Sequence, residues 1–338
     1  MTAQQIPKKT VIYGTLGPAC RDPEILEQMF REGMDGIRLN LSHTGLDAAA
    51  ELIEAYHRAA QTCGLQPELL IDLQGPELRI GRLSAPIALE PGSRIPASRI
   101  PFPKEVLEVL STQEPGQELL LDDGRLLLCT TDREQLQVIR GGILESRKSV
   151  ALPGQKINTP ALTDFDLEQL RKAKAYGVTG VMQPFVRGRE DLLAVRMALH
   201  EAGCDDIKLF AKIENLAGVE KINELIPESD QIVIARGDLG NAMELWELPA
   251  CQKRISELCR AAGRDFMVVT QMLDSMTHRP VPTRAEVSDI FNAVLDGAAS
   301  VMVTGETAAG EYPVLVIRYL VKTVREAERY LSERSCPQ

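Results

Sequence analysis

Residues 207–240, IKLFAKIENLAGVEKINELIPESDQIVIARGDLG, contain two apolar runs, IKLFAKI (207–213) and QIVIA (231–235), each followed directly by charged residues. Short continuous runs rich in Val and Ile are what a parallel sheet covered on both faces requires. Six similar runs lie outside this stretch: TVIYGT (10–15), GIRLN (36–40), LLIDL (69–73), GVMQPF (180–185), FMVVT (266–270) and SVMVT (300–304). Amphipathic helices separate them. Asp22 and Pro23 open one whose apolar face is Ile25, Leu26, Met29 and Phe30, and Gly33 stops it. Val287, Ile290, Phe291, Val294 and Leu295 form a second helical face ending at Gly297. Thr163-x-x-Asp166 reads as a capping box for a third, inside the run 161–177. Eight strands alternating with helices predict an α/β fold, a (β/α)8 TIM barrel. Periodicity does not establish closure, so an open doubly wound sheet is the alternative.

One region breaks the alternation. Residues 78–155 are rich in Pro and Gly and show no long clear helix, while ELLLDDGRLLLCT (118–130) reads as two strands around Asp122-Asp123-Gly124. The expected organisation is a first part of the barrel at 1–77, a small β-barrel-like domain inserted after the third strand at 78–155, and the rest of the barrel at 156–338. A helix from about 314 to 330 closes the barrel.

The net charge of −10 argues against a nucleic-acid partner in the absence of a basic patch. No apolar run is long enough to span a membrane, and MTAQQIPKKT at the N-terminus lacks a signal-peptide core. Seven cysteines, at 20, 63, 129, 204, 251, 259 and 336, form no CxxC pair, so reduced thiols and a cytoplasmic location are expected.

Side chains at the C-terminal ends of barrel strands converge on one mouth. Read in order, those ends offer Arg38 to His43, Asp72, Phe185-Val186-Arg187, Lys212 to Asn215, Arg236 to Gly240, Thr270 to Met272, and Thr304 to Thr307. Arg38, Lys212, Glu214 and Asp238 together suit a divalent metal and an anionic substrate: two carboxylates leave Mg2+ open positions, and Arg38 presents a planar fork to phosphate or carboxylate. The Gly237–Gly240 loop permits close backbone approach to an anion. The plain alternative is an ordinary salt bridge from Lys212 to Glu214 or Asp238.

TLGPAC (15–20), IRLNLSH (37–43), IDLQGPELRIG (71–81), SRKSVALPG (146–154), AKIEN (211–215), ARGDLG (235–240), TQMLDSM (270–276), PTRAEVSD (282–289) and VTGETAAGEYP (303–313) are similar, in order and spacing, to the motifs of the pyruvate kinase family. The resemblance runs from about Thr10 to Glu328 and implies a phosphotransferase moving the phosphoryl group of phosphoenolpyruvate to ADP. It implies that Lys212 faces the transferring phosphoryl group, Arg38 contacts phosphate, and Gly237, Asp238 and Thr270 line the acid site. It implies Glu214 and Asp238 as ligands of Mg2+ (or Mn2+). For K+ it implies Asn40, Ser42, Asp72 and Leu73, the last through its backbone only, and Glu77 fits the K+-dependent form. Asn40, His43, Arg79 and Lys148 match nucleotide positions, with the small domain acting as a lid.

Several residues depart from the family's pattern. Leu73 stands in place of a threonine, Gln74 of a lysine and Pro184 of a serine. NAMELWELPACQK (241–253) lacks a carboxylate at Ala242 and adds Trp246, expected as a packing residue, in what should be the substrate-site helix. These changes keep open a repurposed metal-enolate enzyme acting on another 2-oxo or enol acid, or a non-catalytic paralogue. The family's C-terminal domain is expected to be absent, and with it activation by sugar phosphates. A homodimer or other homo-oligomer through the barrel is expected.

Overall fold

Eight parallel strands close into a barrel: β1 (Val11–Thr15), β2 (Gly36–Asn40), β3 (Glu68–Asp72), β4 (Gly180–Gln183), β5 (Lys208–Ile213), β6 (Gln231–Ala235), β7 (Asp265–Val269) and β8 (Ser300–Met302). This is a computed structural model, and it describes residues 10–112, 114–122, 124–155 and 159–335. Each strand pairs with its sequence neighbours, and β8 pairs with β1 in register Ile12↔Val301, so the open-sheet alternative fails. Chain direction and helical crossovers favour this winding, because right-handed βα units pack back onto the sheet.

Strand ends differ from the sequence reading where backbone chemistry intervenes. Pro184 has no N–H for the ladder, so β4 stops at Gln183. Thr270 takes φ of 80°, so β7 stops at Val269.

The period-2 alternation divides each strand between two cores. Ile12, Ile37, Ile71, Leu209, Ile232 and Val268 join the large cluster shared with the surrounding helices. Tyr13, Leu70, Met182, Phe210, Val233, Met267 and Met302 form a separate cluster inside the barrel. Burying one such side chain contributes roughly 2 kcal/mol. Two glycines make this interior possible. A Cβ at Gly36 would lie 2.7 Å from the Tyr13 ring, and one at Gly180 would lie 2.6 Å from both Leu70 and Phe210. Two residues beyond Gly36, Leu70 and Phe210, on the same strand faces, stand Arg38, Asp72 and Lys212.

The helices begin and end where the sequence signals stand. Asp22 accepts a hydrogen bond from Glu24 N at 2.9 Å ahead of helix Pro23–Glu32, and Gly33 closes that helix in the left-handed region. Thr163 and Asp166 form a capping box for helix Asp164–Lys172. Thr283 and Glu286 form another for helix Arg284–Leu295, a start the apolar face from Val287 to Leu295 does not mark. The closing helix spans Pro313–Ser335.

The chain divides into two compact units, one ending at Gly75 and resuming at Leu162, the other Pro76–Ala161. The second is wider than the 78–155 read from the sequence. At its start, the Leu78 carbonyl accepts from Val150 N at 2.8 Å, and Arg79 bridges Ser149. Its main sheet is antiparallel, in the order Val150–Ala151, Glu118–Leu121, Leu126–Thr130, Gln135–Arg140, Arg94–Pro96, with a two-stranded sheet of Ile87–Leu89 and Gly142–Leu144 beside it. The expected hairpin is present, with Asp122 and Gly124 at positive φ; Asp123 lies outside the described residues, as do 1–9 and Cys336. One expectation is corrected: this unit does contain a helix, Lys104–Thr112, which buries Val106 and Leu110 one turn apart.

Candidate active site

Four charged side chains alternate in sign at the C-terminal ends of β2, β3 and β5. Arg38 Nε donates to Asp72 Oδ2 at 2.8 Å, and Arg38 Nη2 lies 2.7 Å from the same oxygen. Lys212 Nζ donates to both Asp72 oxygens, at 3.0 and 3.2 Å, and lies 3.0 Å from Glu214 Oε1. Glu214 Oε2 accepts from Phe185 N at 2.8 Å. Lys212 and Glu214 share a face because they are two residues apart at the end of one strand. All of this is largely withdrawn from water: the Asp72 side chain is 2 % exposed and that of Lys212 12 %. Burial opposes ionisation of Asp72, but the facing Lys212 and Arg38 outweigh it and hold the carboxyl below its ordinary value. Burial likewise opposes the charged form of Lys212, and Asp72 and Glu214 outweigh that, raising it. The plain salt-bridge alternative is thus partly realised, with Asp72 as an additional partner that the sequence reading did not give to Lys212.

Gly237 and Asp238 lie on a six-residue helix, Arg236–Asn241, that starts where β6 ends; the expected loop is helical. Thr270 follows β7 and lies against Gly237, where an added Cβ would stand 3.1 Å from Thr270 Cγ2. The stretch 241–253, expected as helix, is interrupted after this short one and is helical again only from Leu248. Residues 242–247 form a turn between it and helix Leu248–Ala261. Trp246 is 76 % exposed there, so its expected packing role is corrected: its ring has no core to enter.

Asn40 Oδ1 accepts from Ser42 N at 3.2 Å, and His43 N donates to the Asn40 carbonyl at 3.3 Å, so these three share one turn after β2. Leu73 is buried, its N donates to the Met182 carbonyl, and its hydrocarbon side chain has no oxygen to offer. Gln74 turns its amide toward the Leu41 carbonyl, 3.2 Å away. Glu77, Arg79 and Lys148 belong to the second unit. There Arg79 grips Glu77 at 2.7 Å and Lys148 grips Asp122 at 2.8 Å.

Among the described residues no three His, Cys, Asp or Glu side chains converge as a metal cage. The donors present still fit the expected ions. Glu214 and Asp238 are the number of carboxylates Mg2+ takes when it keeps water and substrate oxygens. Asn40, Ser42 and Asp72 are hard oxygen donors suited to K+, with Leu73 limited to its carbonyl.

Three residues do structural work at this end that the sequence does not assign to them. Arg236 reaches the Thr270 carbonyl and Asp289. Glu306, fully buried, accepts from Leu273 N and Thr304 N, tying the ends of β7 and β8 together. Asp166 was read only as a cap, yet its carboxylate also accepts from Gln74 N and Gly75 N. The places of Arg236 and Glu306 inside strand-end motifs were the available signals.

The pyruvate kinase barrel-domain model matches residues 7–317. Pyruvate kinase of Methylorubrum extorquens is 37 % identical over 334 residues, covering 95 % of this chain and 69 % of that protein. The Aeropyrum pernix pyruvate kinase is 36 % identical over 327 residues, covering 95 % and 71 %. That of Geobacillus stearothermophilus is 35 % identical over 345 residues, covering 97 % and 58 %. The chain therefore spans between 58 % and 71 % of the length of these relatives. Among the described residues no helix is long and apolar enough to cross a membrane. A closed barrel with an antiparallel insert after β3, strand-end charges where the family's motifs stand, and a match over nearly the whole chain lead to one assignment: the chain belongs to the pyruvate kinase barrel-domain family.

Proposed function

We propose that this chain transfers the phosphoryl group of phosphoenolpyruvate to ADP, giving pyruvate and ATP. The observation that supports this best is the alternating run Arg38–Asp72–Lys212–Glu214 at the barrel mouth. Its two cations and two carboxylates sum to no net charge, so an anionic substrate needs further positive charge at the site. Glu214 and Asp238 would hold Mg2+ or Mn2+, which when bound supplies that charge to phosphate and enolate oxygens. Asn40, Ser42, Asp72 and the Leu73 carbonyl would hold K+ beside them.

The chain's own residues then have distinct tasks. Asp72 fixes the plane of the Arg38 guanidinium, which grips the phosphate. Lys212, held charged by Asp72 and Glu214, faces the transferring phosphoryl group. The P–O bond of phosphoenolpyruvate breaks with its electron pair left on the enolate oxygen, while a terminal oxygen of ADP forms the new bond. Lys212 offsets the charge on that oxygen, and such fixed electrostatic help is the main resource in phosphoryl transfer. The enolate then takes a proton at its methylene carbon, through a water held by the Thr270 hydroxyl, and becomes pyruvate. Gly237 and Asp238 line the acid site. Asn40 and His43 serve the nucleotide from the barrel, and Arg79 and Lys148 are the cations that the second unit offers to nucleotide phosphates.

A second reading, a metal-enolate enzyme on another 2-oxo or enol acid, draws on Pro184, whose Cγ lies 2.5 Å from where a Gly75 Cβ would stand. That ring and the turn at 242–247, which exposes Leu245 and Trp246, motivate this reading. The test is pyruvate formation from phosphoenolpyruvate and ADP with Mg2+ and K+, followed through lactate dehydrogenase. Turnover that disappears in Lys212→Met supports the proposal. A folded chain inert on phosphoenolpyruvate but turning over another 2-oxo acid supports the second reading, and one inert on all of them supports a non-catalytic paralogue.

A further inference from the structure

Thr270 and Gln271 are successive non-glycine residues in the left-handed region, at φ of 80° and 54°. That region is unfavourable for L side chains and most unfavourable for β-branched ones. Such a conformation persists only where surrounding groups hold it. Here the holding group is visible. The Thr270 carbonyl belongs to the peptide that joins the two residues, and it accepts from Arg236 Nε at 3.2 Å and from Nη2 at 2.7 Å. The same guanidinium donates Nη1 to Asp289 at 2.8 Å, and Nη2 lies 3.0 Å from Met272 Sδ. Only 12 % of the Arg236 side chain is exposed.

We infer that Arg236, anchored by Asp289, is a positioning residue that locks the Thr270–Gln271 peptide in its strained orientation and so sets the Thr270 hydroxyl for proton delivery to the enolate; this rests on the proposed phosphoenolpyruvate reaction. A planar fork on one carbonyl fixes a peptide plane in a way a single ammonium contact does not. Release of that carbonyl lets ψ of Thr270 and φ of Gln271 relax together. Thr270 then swings from its seat against Gly237, which lies next to the proposed metal ligand Asp238. Asp289 sits on the helix that the Thr283–Glu286 capping box starts, and Glu286 also binds Ser275 N and Oγ. The anchor is therefore tied to the loop that follows Thr270.

The test compares Arg236→Gln, Arg236→Lys, Asp289→Asn and Thr270→Ala, and the double variant Arg236→Gln with Thr270→Ala, by steady-state kinetics on phosphoenolpyruvate and by crystallography. The expected result is a fall in kcat of about a hundredfold in Arg236→Gln with KM for phosphoenolpyruvate changed by less than about threefold. Arg236→Lys, which keeps the Asp289 ion pair and loses the fork, falls nearly as far, and Asp289→Asn falls less. The double variant is no slower than Thr270→Ala alone, because both act through one group. In the crystal structures of Arg236→Gln and Arg236→Lys, the Thr270–Gln271 peptide turns and φ of Gln271 returns to negative values. Additive losses in the double variant, a rise in KM at unchanged kcat, or a Gln271 φ that stays positive would each overturn the inference. Should Arg236→Gln not fold, Arg236→Lys and Asp289→Asn carry the comparison. Should the unaltered chain not turn over phosphoenolpyruvate, the proposed function fails, and φ of Gln271 in the variants still decides whether Arg236 holds that peptide.

Discussion

Lys212 Nζ lies 3.0 Å from Asp72 Oδ2, although β5 and β3 are not neighbours and β4 runs between them. The contact closes over the top of the barrel interior, two residues above Phe210 and Leu70. Replacing Lys212 with Met leaves Asp72 with Arg38 alone and strips Glu214 of its cation. Removing one partner of a buried pair costs about 3 kcal/mol. The expected outcome is a lower denaturation midpoint, together with loss of phosphoenolpyruvate turnover by about three orders of magnitude. Parallel urea melts and kinetics check it; full activity in Lys212→Met would remove the lysine from the mechanism.

The same pair predicts how stability follows pH. Asp72 is depressed below its ordinary 3.8, so its contribution is fully present above that value and is lost as pH falls through the folded value. Lys212 is raised above 10.5, so its contribution is fully present below that value and is lost only as pH rises through the folded one. These two groups therefore give a flat contribution between those limits. Denaturant titrations from pH 7 to pH 2 should show Asp72→Asn less stable at pH 7 and less sensitive to acid below pH 4 than the unaltered chain. Identical acid limbs would show that Asp72 is not held ionised by Lys212 and Arg38.

The eight strands were legible because a barrel strand is apolar on both faces, and the alternation then places strand-end residues at the mouth. Arg38, Lys212 and Glu214 could be grouped with Asp238 from position alone, whereas the pairing of Asp72 with Lys212 could not. Helix Lys104–Thr112 was not legible, since its nine residues bury only Val106 and Leu110 and it follows a Pro-rich stretch. The Arg236–Thr270 contact was hidden for a different reason: nothing in a threonine announces a left-handed backbone, and Asp289 lies 53 positions from the arginine it anchors. The turn at 242–247 was expected as helix from the family resemblance alone; Met243 packs against the core there, while Leu245 and Trp246 stay exposed.

Gly75 and Pro184 form a fitted pair. Gly75 has φ of 58°, and a Cβ there would lie 2.5 Å from Pro184 Cγ. Gly75→Ala is expected to destabilise the chain by about 2 kcal/mol, from strain and overlap together. Adding Pro184→Ala should recover the overlap part and leave the backbone strain. A double-mutant cycle in urea measures the coupling, and strict additivity would mean that the two residues do not touch.

The thiols should differ in reactivity. Burial pushes Cys20 up to about 11 and Cys259 up to about 12, leaving almost no thiolate at pH 8. Iodoacetamide should label the half-buried Cys63 and Cys129 before Cys20 and Cys259, as read by peptide mass spectrometry, and these last two only after unfolding. Early labelling of Cys259 would show that helix Leu248–Ala261 opens in the native state.

The central claim is phosphoryl transfer from phosphoenolpyruvate to ADP at this barrel mouth. It is tested most directly by 31P NMR of the purified chain with phosphoenolpyruvate, ADP, Mg2+ and K+. The account predicts that the phosphoenolpyruvate signal falls as the γ-phosphate of ATP rises one for one, and that neither changes with Lys212→Met. Phosphoenolpyruvate consumed with release of inorganic phosphate and no ATP, or left intact by a folded chain, would contradict it.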